Sequence, residues 1–373
     1  YVLNLYNPKN KPSIKSADKK SLKVNFVNKA EVKLIKKNDA NIRMSEFTGS
    51  KNEIILSNGK LFVGVEDIEK SLLSNSKVDK DNWRVLGFNL SKKLISLNVK
   101  IVSMNVGKKS AEFIEGLFLG LYKFNTYKSQ SKTIVLKKIE LINKSINLTK
   151  LIDRIERKVS AQNLTRDWVN LSGEDANSNT IYNAVVNNFL NSNVLLEKIS
   201  KSEMEKLGMN GHLAVNQASN FPALTIKLTY EPKDYQKEIL LIGKGITYDT
   251  GGLSLKPTSA MLDMKMDKAG AMTVLGIFDG LNKLNDCTNK VVGYMAIAEN
   301  ALGSNAYRPG DVLEMMNKKT VIVKNTDAEG RLVLFDNICL AEEQNPNYDE
   351  MFSFATLTGS AVVQFGSEVC GMV

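Results

Sequence analysis

Histidine is almost absent from this sequence, because His212 is the single example in 373 residues. A zinc site of the HExxH type needs two imidazoles and is therefore excluded. A Ser-His-Asp or Cys-His catalytic group would have to use His212, and no nucleophile motif accompanies that residue. We predict a structural histidine in a loop or at a strand edge. Enzymatic chemistry would then have to come from Asp, Glu, Lys or Arg side chains, or from a bound cofactor.

Cysteine is also scarce, and the three thiols are widely spaced at Cys287, Cys339 and Cys370. Such a set is neither a disulfide framework nor a CxxC metal site, and it favours free thiols in a reducing compartment such as the cytoplasm. No run of about 18 apolar residues occurs, so we predict no membrane-spanning helix and no membrane partner. The segment Tyr1–Ser13 lacks the apolar stretch of a secretory signal.

Acidic residues are few in the first part of the chain. Residues 1–150 hold 29 Lys and Arg against 13 Asp and Glu, and the whole chain has a net charge of +10. A basic surface of this kind raises nucleic-acid binding as an alternative function. The lysines are scattered, however, and no basic helix is present. A solvated surface is therefore the preferred interpretation, and no nucleic-acid partner is expected.

Strand-like and helical patterns alternate along the chain, which predicts an α/β fold with two domains. A smaller, basic, non-catalytic α/β domain is predicted for residues 1–150, with strands at 60–65, 100–106 and 132–136 and a helix at 111–122. Residues 151–373 are assigned to a catalytic domain with a mixed sheet flanked by helices. A long polar helix at 151–170 would link the two domains.

The elements predicted for the second domain follow a regular order. They are strands at 238–242, 290–298, 320–323 and 351–356, helices at 269–284 and 331–343, a glycine-rich loop at 243–259 and a polar loop at 324–330. In α/β sheets, ligands bind at the loops that follow the carboxyl ends of the strands. The polar clusters of this sequence lie in such loops.

Three clusters carry side chains that could do chemistry. The glycine-rich loop holds Lys244, Asp249 and Lys256, and it matches neither a GxxxxGK[ST] phosphate loop nor a dinucleotide fingerprint. Asp267 precedes a helix, where an aspartate alone would be interpreted as an N-cap. The third cluster, in a segment predicted to be extended, contains Asp327 and Glu329. Alone, this cluster would be interpreted as a solvated turn.

Together the clusters offer four carboxylates and Lys244 to one place. Four carboxylates that converge without cations would repel one another and resist ionisation. Two divalent ions would remove that conflict. Oxygen ligands suit Mn and Mg, and Zn also accepts carboxylates. A lysine binds a metal only as the neutral amine, so the pKa of Lys244 would have to fall beside the ions.

Several segments resemble the leucyl aminopeptidase (cytosol aminopeptidase) family, namely 243–257, 267–276, 308–312, 325–332 and 356–359. The stretch Asn325–Leu332 matches the family signature residue for residue. The resemblance covers most of residues 85–373 and fades towards the N-terminus. Members of the family continue beyond the position matched by Val373, so the catalytic domain is expected to be incomplete at its C-terminal end.

The resemblance implies a role for each matching side chain. The tighter metal ion would be held by Lys244, Asp249, Asp267 and Glu329. The more exchangeable ion would be held by Asp249, Asp327 and Glu329. The two catalytic residues that do not bind metal would be Lys256 and Arg331. The substrate-binding pocket for the first side chain would include Met264, Asn325, Thr356 and Gly359.

The implied function is that of a metalloaminopeptidase that releases N-terminal residues, leucine-like ones preferred, from peptides with a free N-terminus. Two divalent ions (Zn or Mn, with Mg or Co as alternatives) would activate a water, and bicarbonate bound at Arg331 would serve as the general base. The family also implies a cytoplasmic homo-oligomer, a hexamer when full length. A nucleic-acid-binding or inactive structural member of the same family is the alternative.

Overall fold

The computed structural model describes residues 2–4, 21–65, 77–106, 110–129, 136–142, 147–366 and 369–372. The chain divides into two compact units, Tyr1–Val159 and Ser160–Val373, and the division falls within a long helix, Leu148–Asn170. Each unit combines a mixed sheet with helices, so the predicted α/β fold class is confirmed. The strand predicted at 132–136 lies outside the described residues, apart from residue 136.

The first unit contains a six-stranded sheet. Its described elements are β1 (Val2–Asn4), β2 (Leu22–Val27), α1 (Lys29–Asn38), α2 (Ala40–Met44), β3 (Ile54–Ser57), β4 (Lys60–Gly64), α3 (Lys77–Ser96), β5 (Ile101–Asn105), α4 (Ser110–Gly120), β6 (Lys138–Ile142) and the start of α5 (Leu148–Asn170). The strand order is β1-β6-β5-β2-β4-β3, with parallel inner pairs and antiparallel outer pairs. Buried side chains of β4, β5, α3 and α4 form its main core.

The second unit begins within α5 and contains a five-stranded sheet. Its remaining elements are α6 (Ser178–Phe189), β7 (Val194–Ile199), α7 (Lys201–Leu207), α8 (Asn210–Asn216), β8 (Leu224–Tyr230), β9 (Glu238–Asp249), α9 (Thr258–Met261), α10 (Ala269–Leu284), β10 (Lys290–Asn300), β11 (Val312–Glu314), β12 (Thr320–Ile322), α11 (Glu329–Gln344), β13 (Glu350–Phe354) and α12 (Ser360–Phe365). Two short 3₁₀ turns, Met264–Lys268 and Thr326–Ala328, precede α10 and α11.

Helices cover both faces of this second sheet. The strand order is β13-β9-β10-β8-β7; β13, β9 and β10 are parallel, and β8 and β7 are antiparallel to their neighbours. Side chains alternate along β9, so Leu241 packs on the face of α10 whereas Leu240 and Ile242 pack on the face of α11. The central strands are therefore almost wholly apolar. The helices in the described ranges are all too short or too polar to span a lipid bilayer.

The element boundaries differ from the prediction next to the polar clusters. Helix α10 has the predicted bounds, 269–284. Strand β9 does not stop at 242 but continues to Asp249, so residues 243–249 of the predicted glycine-rich loop 243–259 are strand. Helix α11 begins at Glu329 instead of at 331, and Asp327 lies in a 3₁₀ turn rather than in an extended loop.

His212 lies in α8 and is fully buried, so the predicted position in a loop or at a strand edge is wrong. Its Nε2 donates to the carbonyl oxygen of Ile297 at 2.9 Å, and Asn337 Nδ2 donates to its Nδ1 at 3.0 Å. The same asparagine accepts a hydrogen bond from Thr225 Oγ1 at 2.6 Å. This network requires the neutral imidazole. Burial lowers the pKa of His212 to about 4, although the hydrogen bond to Ile297 opposes that fall.

We expect the folded state to lose stability as the pH falls from about 6.5, the ordinary histidine pKa, towards pH 4. The folded pKa of His212 is the lower one, so its contribution is fully present above pH 6.5 and is lost as the unfolded chain takes up the proton first. The loss should approach about 3 kcal/mol. Chemical denaturation of the wild type and His212→Gln between pH 7 and pH 4 measures it, since the other titrations are common to both proteins. If the difference in the free energy of unfolding between the two proteins did not change with pH, His212 would not be the group responsible for the loss.

Candidate metal centre

The polar side chains predicted to act together meet at one end of the second sheet, at the carboxyl ends of β9 and β13. Lys244 and Asp249 lie in β9, Asp267 in the turn before α10, and Glu329 at the first position of α11. Asp249, Asp267 and Glu329 are buried, and each offers one carboxylate oxygen within 4.8 Å of the others.

An irregularity in the pairing of β9 with β10 brings the two β9 side chains to the same place. Ala298 pairs with Ile246 but Asn300 pairs with Asp249, so β9 has one more residue than β10 in this interval. In a regular strand, positions 244 and 249 would face opposite sides, because side chains alternate. The extra residue corrects the alternation, and irregularities of this kind are common beside active sites.

Lys244 lies at the centre of the cluster. Its side chain is 3% exposed, and its Nζ lies 2.7 Å from Asp267 Oδ2 and 2.8 Å from Glu329 Oε1. The same nitrogen donates to Asp267 Oδ1 at 2.8 Å and to the carbonyl oxygen of Thr356 at 3.2 Å. The ammonium therefore holds three chain segments together.

Asp267 is not the N-cap of α10, which is the role that its position alone suggested. The N-cap residue is Lys268, and no side chain caps this helix end. The Asp267 carboxylate instead faces Lys244 and accepts from Thr356 Oγ1 at 2.7 Å. The close approach depends on Gly270, where a Cβ would lie 2.0 Å from the carbonyl oxygen of Phe354 in β13. A larger residue there would push the turn away from the sheet.

A second lysine connects the other two carboxylates. Lys256 Nζ lies 2.9 Å from Asp249 Oδ2, and it also forms a short ion pair with Asp327 Oδ1. The second Asp249 oxygen, Oδ1, accepts from the backbone nitrogen of Gly251 at 2.9 Å and from Asn300 Nδ2 at 2.8 Å. Asp249 and Asp327 are thus joined through one ammonium, and Asp327 is the more exposed of the two.

The pKa values in this cluster reflect an excess of buried negative charge. Burial raises the pKa of Asp267 to about 7; Lys244 opposes this rise and the Glu329 charge adds to it. Burial lowers the pKa of Lys244, but the charges of Asp267 and Glu329 outweigh it and raise that pKa above its usual value. For Lys256, burial likewise lowers the pKa, and the hydrogen bonds to Asp327 and Asp249 reverse the effect. Both lysines are therefore ammonium groups at neutral pH.

The donor set fits divalent cations. Four carboxyl groups face two ammonium groups in a largely buried place, which leaves at least one negative charge uncompensated even when Asp267 is protonated. Asp267 Oδ2 and Asp327 Oδ1 are buried and accept no hydrogen bond of regular geometry, although each faces a lysine. Carboxylates that carry unused acceptor capacity are ligands for hard or borderline cations. Metal binding at Lys244 would have to release its proton.

The remaining residues from the sequence analysis lie around this cluster. Thr356 contacts Asp267 and Lys244, as described above, and Met264 is half-buried in the turn that carries Asp267. The Asn325 side chain accepts from the backbone nitrogen of Asp327 at 2.8 Å. Gly359 is exposed at the start of α12. Arg331 is exposed on the first turn of α11, and its side chain forms neither a hydrogen bond nor an ion pair with any other residue in the described ranges.

The sequence pattern that defines the catalytic domain of the cytosol aminopeptidase family matches residues 163–373, which is more than half of the chain. The chain belongs to the cytosol aminopeptidase family. A probable cytosol aminopeptidase of Tropheryma whipplei is 38% identical over 279 residues, covering 71% of this chain and 53% of that protein. The chain thus spans about half the length of this curated relative.

Two solved structures resemble the fold at 25% sequence identity. The cytosol aminopeptidase from Coxiella burnetii has a TM-score of 0.77, covering 94% of this chain and 74% of that chain. The bottromycin maturation enzyme BotP in complex with Mn has a TM-score of 0.75, covering 88% of this chain and 71% of that chain. The family and the fold class implied by the sequence segments are therefore confirmed.

Sequence reasoning missed the residues that connect the carboxylate loops of this family member. Asn300 donates to Asp249, and Tyr307 Oη donates to the carbonyl oxygen of Thr326 at 2.7 Å. Thr326 Oγ1 in turn donates to the carbonyl oxygen of Gly251 at 2.6 Å. No periodicity or spacing marks these residues, because their role depends on the strand pairing.

Proposed function

We propose that this chain is a metal-dependent aminopeptidase that hydrolyses the first peptide bond of peptides with a free N-terminus, preferring leucine-like first residues. The observation that carries the proposal is the buried trio of Asp249, Asp267 and Glu329, whose oxygens converge within 4.8 Å beside Lys244. Membership of the cytosol aminopeptidase family supports it. The BotP structure, described as a complex with Mn, supports manganese as one usable metal.

The proposed centre holds two divalent ions. Lys244, Asp249, Asp267 and Glu329 would bind the tighter ion, and Asp249, Asp327 and Glu329 the more exchangeable one. Zn or Mn are the proposed metals, with Mg or Co as alternatives. Bound there, the pair would supply Lewis-acid polarisation of the substrate carbonyl and a water of lowered pKa. The side chains supply the rest of the chemistry.

Lys256 would act on the charge that develops at the substrate carbonyl oxygen. Its pKa is raised by Asp327 and Asp249, so the side chain stays protonated at neutral pH and can donate a hydrogen bond. A fixed donor of this kind stabilises an oxyanion more than it stabilises a neutral carbonyl, which lowers the barrier. Its two carboxylate contacts fix the direction in which the ammonium points.

Arg331 would bind a bicarbonate that serves as the general base. Its guanidinium is exposed and unpaired within the described ranges, and it lies two residues after Glu329 in α11. A planar guanidinium binds a planar oxyanion through two parallel hydrogen bonds. Met264, Asn325, Thr356 and Gly359 are proposed to surround the first side chain of the substrate. A cytoplasmic homo-oligomer, a hexamer in the full-length protein, completes the proposal.

Metal reconstitution of the full-length protein tests this function. We expect chelator-treated protein to lose hydrolysis of leucine amide and to regain it with Mn²⁺, Zn²⁺ or Co²⁺, because the carboxylates alone polarise no substrate. An N-acetylated leucine amide is the matched control, since the blocked amine should prevent turnover. Equal hydrolysis of the blocked and free substrates, or turnover that no chelator reduces, would exclude a metalloaminopeptidase.

A further inference from the structure

Asn300 lies between the end of β9, which carries Asp249, and the turn before α11, which carries Asp327. It ends β10 and is fully buried. Its Nδ2 donates to Asp249 Oδ1 at 2.8 Å and to the carbonyl oxygen of Thr326 at 3.1 Å. Thr326 directly precedes Asp327. One amide group therefore contacts both the end of β9 and the turn before α11.

Both amide hydrogens of Asn300 are used, whereas its oxygen is not. Asn300 Oδ1 is buried and has no hydrogen-bond partner among the described residues. Turning the amide over would place this oxygen against two other acceptors, so the contacts fix its orientation. A buried acceptor without a partner costs free energy. The two hydrogen bonds that Asn300 donates, rather than a contribution to stability, therefore account for an asparagine at this position.

The backbone of Asn300 reinforces the same connection. Its carbonyl oxygen accepts from Thr250 Oγ1 at 2.7 Å and from the Thr250 nitrogen at 3.0 Å, one residue beyond Asp249. The irregular pairing of β9 and β10 places Asn300 directly opposite Asp249. On the other loop, Tyr307 Oη donates to the Thr326 carbonyl that Asn300 also contacts.

We propose that Asn300 is a positioning residue that fixes Asp249 relative to Asp327 and so determines how tightly the more exchangeable ion is held. This inference depends on the proposed two-metal function. Asn300 itself touches neither substrate nor metal. It orients the Asp249 carboxylate by occupying Oδ1, which leaves Oδ2 directed towards Lys256, where it would be available to bind the ion. Partners of metal ligands act on affinity through this kind of orientation.

The test measures Mn²⁺ binding to the full-length protein in the wild type, Asn300→Asp and Asn300→Leu. Asn300→Asp keeps the volume of the side chain, and Asn300→Leu keeps its branching and its number of heavy atoms. Asn300→Asp replaces two donors by an acceptor that faces Asp249 and the Thr326 carbonyl, whereas Asn300→Leu only removes the donors. We expect the weaker Mn²⁺ to bind 10- to 100-fold less tightly, roughly as for other partners of metal ligands. The tighter Mn²⁺ should lose less affinity, because three of its four proposed ligands lie outside the two segments that Asn300 contacts.

Electron paramagnetic resonance gives a second readout that a general loss of stability would not produce. At two equivalents of Mn²⁺, the signal of a spin-coupled pair should be replaced in both variants by that of an isolated ion. Asn337→Leu is the matched control, since Asn337 is an equally buried asparagine of the same unit, bonded to His212 and Thr225 instead. This control should keep the coupled pair.

The outcomes separate the inference from the proposed function. A wild-type protein that binds fewer than two Mn²⁺ would overturn the two-metal function itself. A wild type that binds two, with unchanged affinities and coupling in both Asn300 variants, would overturn the inference alone. An equal loss of the second ion in Asn337→Leu would also overturn it, because the effect would then not be specific to Asn300.

Discussion

Replacing Glu329 by glutamine is expected to lower kcat/KM for leucine amide by at least ~10³-fold, or about 4 kcal/mol of transition-state stabilisation. Glu329 is the residue whose carboxylate approaches both Lys244 and the carboxylates of Asp249 and Asp267. In the proposed centre Glu329 would be shared by both ions, so its loss should weaken both and the measured metal content should fall together with the activity. Glutamine keeps the size of the side chain, which limits any effect of packing.

The metal-free form of Glu329→Gln should fold as well as the wild type. Lys244 would keep its contacts with Asp267 and Thr356, and the repulsion between two buried carboxylates would be removed. Thermal melting in chelator should therefore change little, whereas the stabilisation by added Mn²⁺ should largely disappear. Asp279→Asn is the control, because Asp279 is a buried carboxylate of the same unit that bonds Lys283 and Asn188. Full activity in Glu329→Gln would remove the metal centre from the mechanism.

The sequence was most informative where a single local pattern determines the structure. Helix α10 could be predicted at both ends, since apolar spacing and small residues define it and Asn285 ends it in a left-handed conformation. The α/β class followed from the alternation of elements. The convergence of Asp249, Asp267 and Glu329 agrees with the prediction that polar clusters after strands meet at one place, and their role as metal ligands stays a prediction.

Predictions failed where pairing with distant segments overrides the local pattern. Glycines made residues 243–249 look like a loop, but pairing with β10 holds them in strand β9. On the other side of β9, β13 pairs only with residues 239–243. His212 looked like a peripheral residue, but the Ile297 carbonyl in β10 and the Asn337 amide in α11 satisfy both ring nitrogens in the core. Burial of polar residues cannot be deduced from spacing when each partner lies more than 80 residues away.

The role of Asp267 shows how a local rule and a tertiary contact can compete. An aspartate before a helix usually caps it, and propensity alone favours that reading. Here Gly270 permits a close approach between the turn and β13, so the carboxylate reaches Lys244 and Thr356 instead. The direction of the Asp249 side chain likewise depends on a tertiary contact, the irregular pairing of β9 with β10. Its effect on the direction of that side chain appears only when the register with Asn300 is known.

Gly330→Ala is expected to disrupt the metal centre although residue 330 binds nothing. A Cβ at Gly330 would lie 2.7 Å from Cε, 2.8 Å from Nζ and 2.9 Å from Cδ of Lys244. The lysine must then move, and its partners Asp267, Glu329 and the Thr356 carbonyl leave no equivalent position. A displacement of about 1 Å in a catalytic group can cost ~10²-fold in rate, and we expect a loss of that order in kcat/KM.

The helix itself should tolerate the substitution, because alanine is the better helix former by about 1 kcal/mol. Gly280→Ala in α10 is the matched control, since its Cβ would meet only Ala161 at 3.6 Å, an ordinary contact. Steady-state kinetics and Mn²⁺ titration of both variants separate the two effects, with Gly280→Ala expected to keep wild-type activity. If Gly330→Ala were equally active and bound Mn²⁺ normally, Lys244 would have room to adjust. Its contacts with Asp267 and Glu329 would then not be what fixes the geometry of the centre.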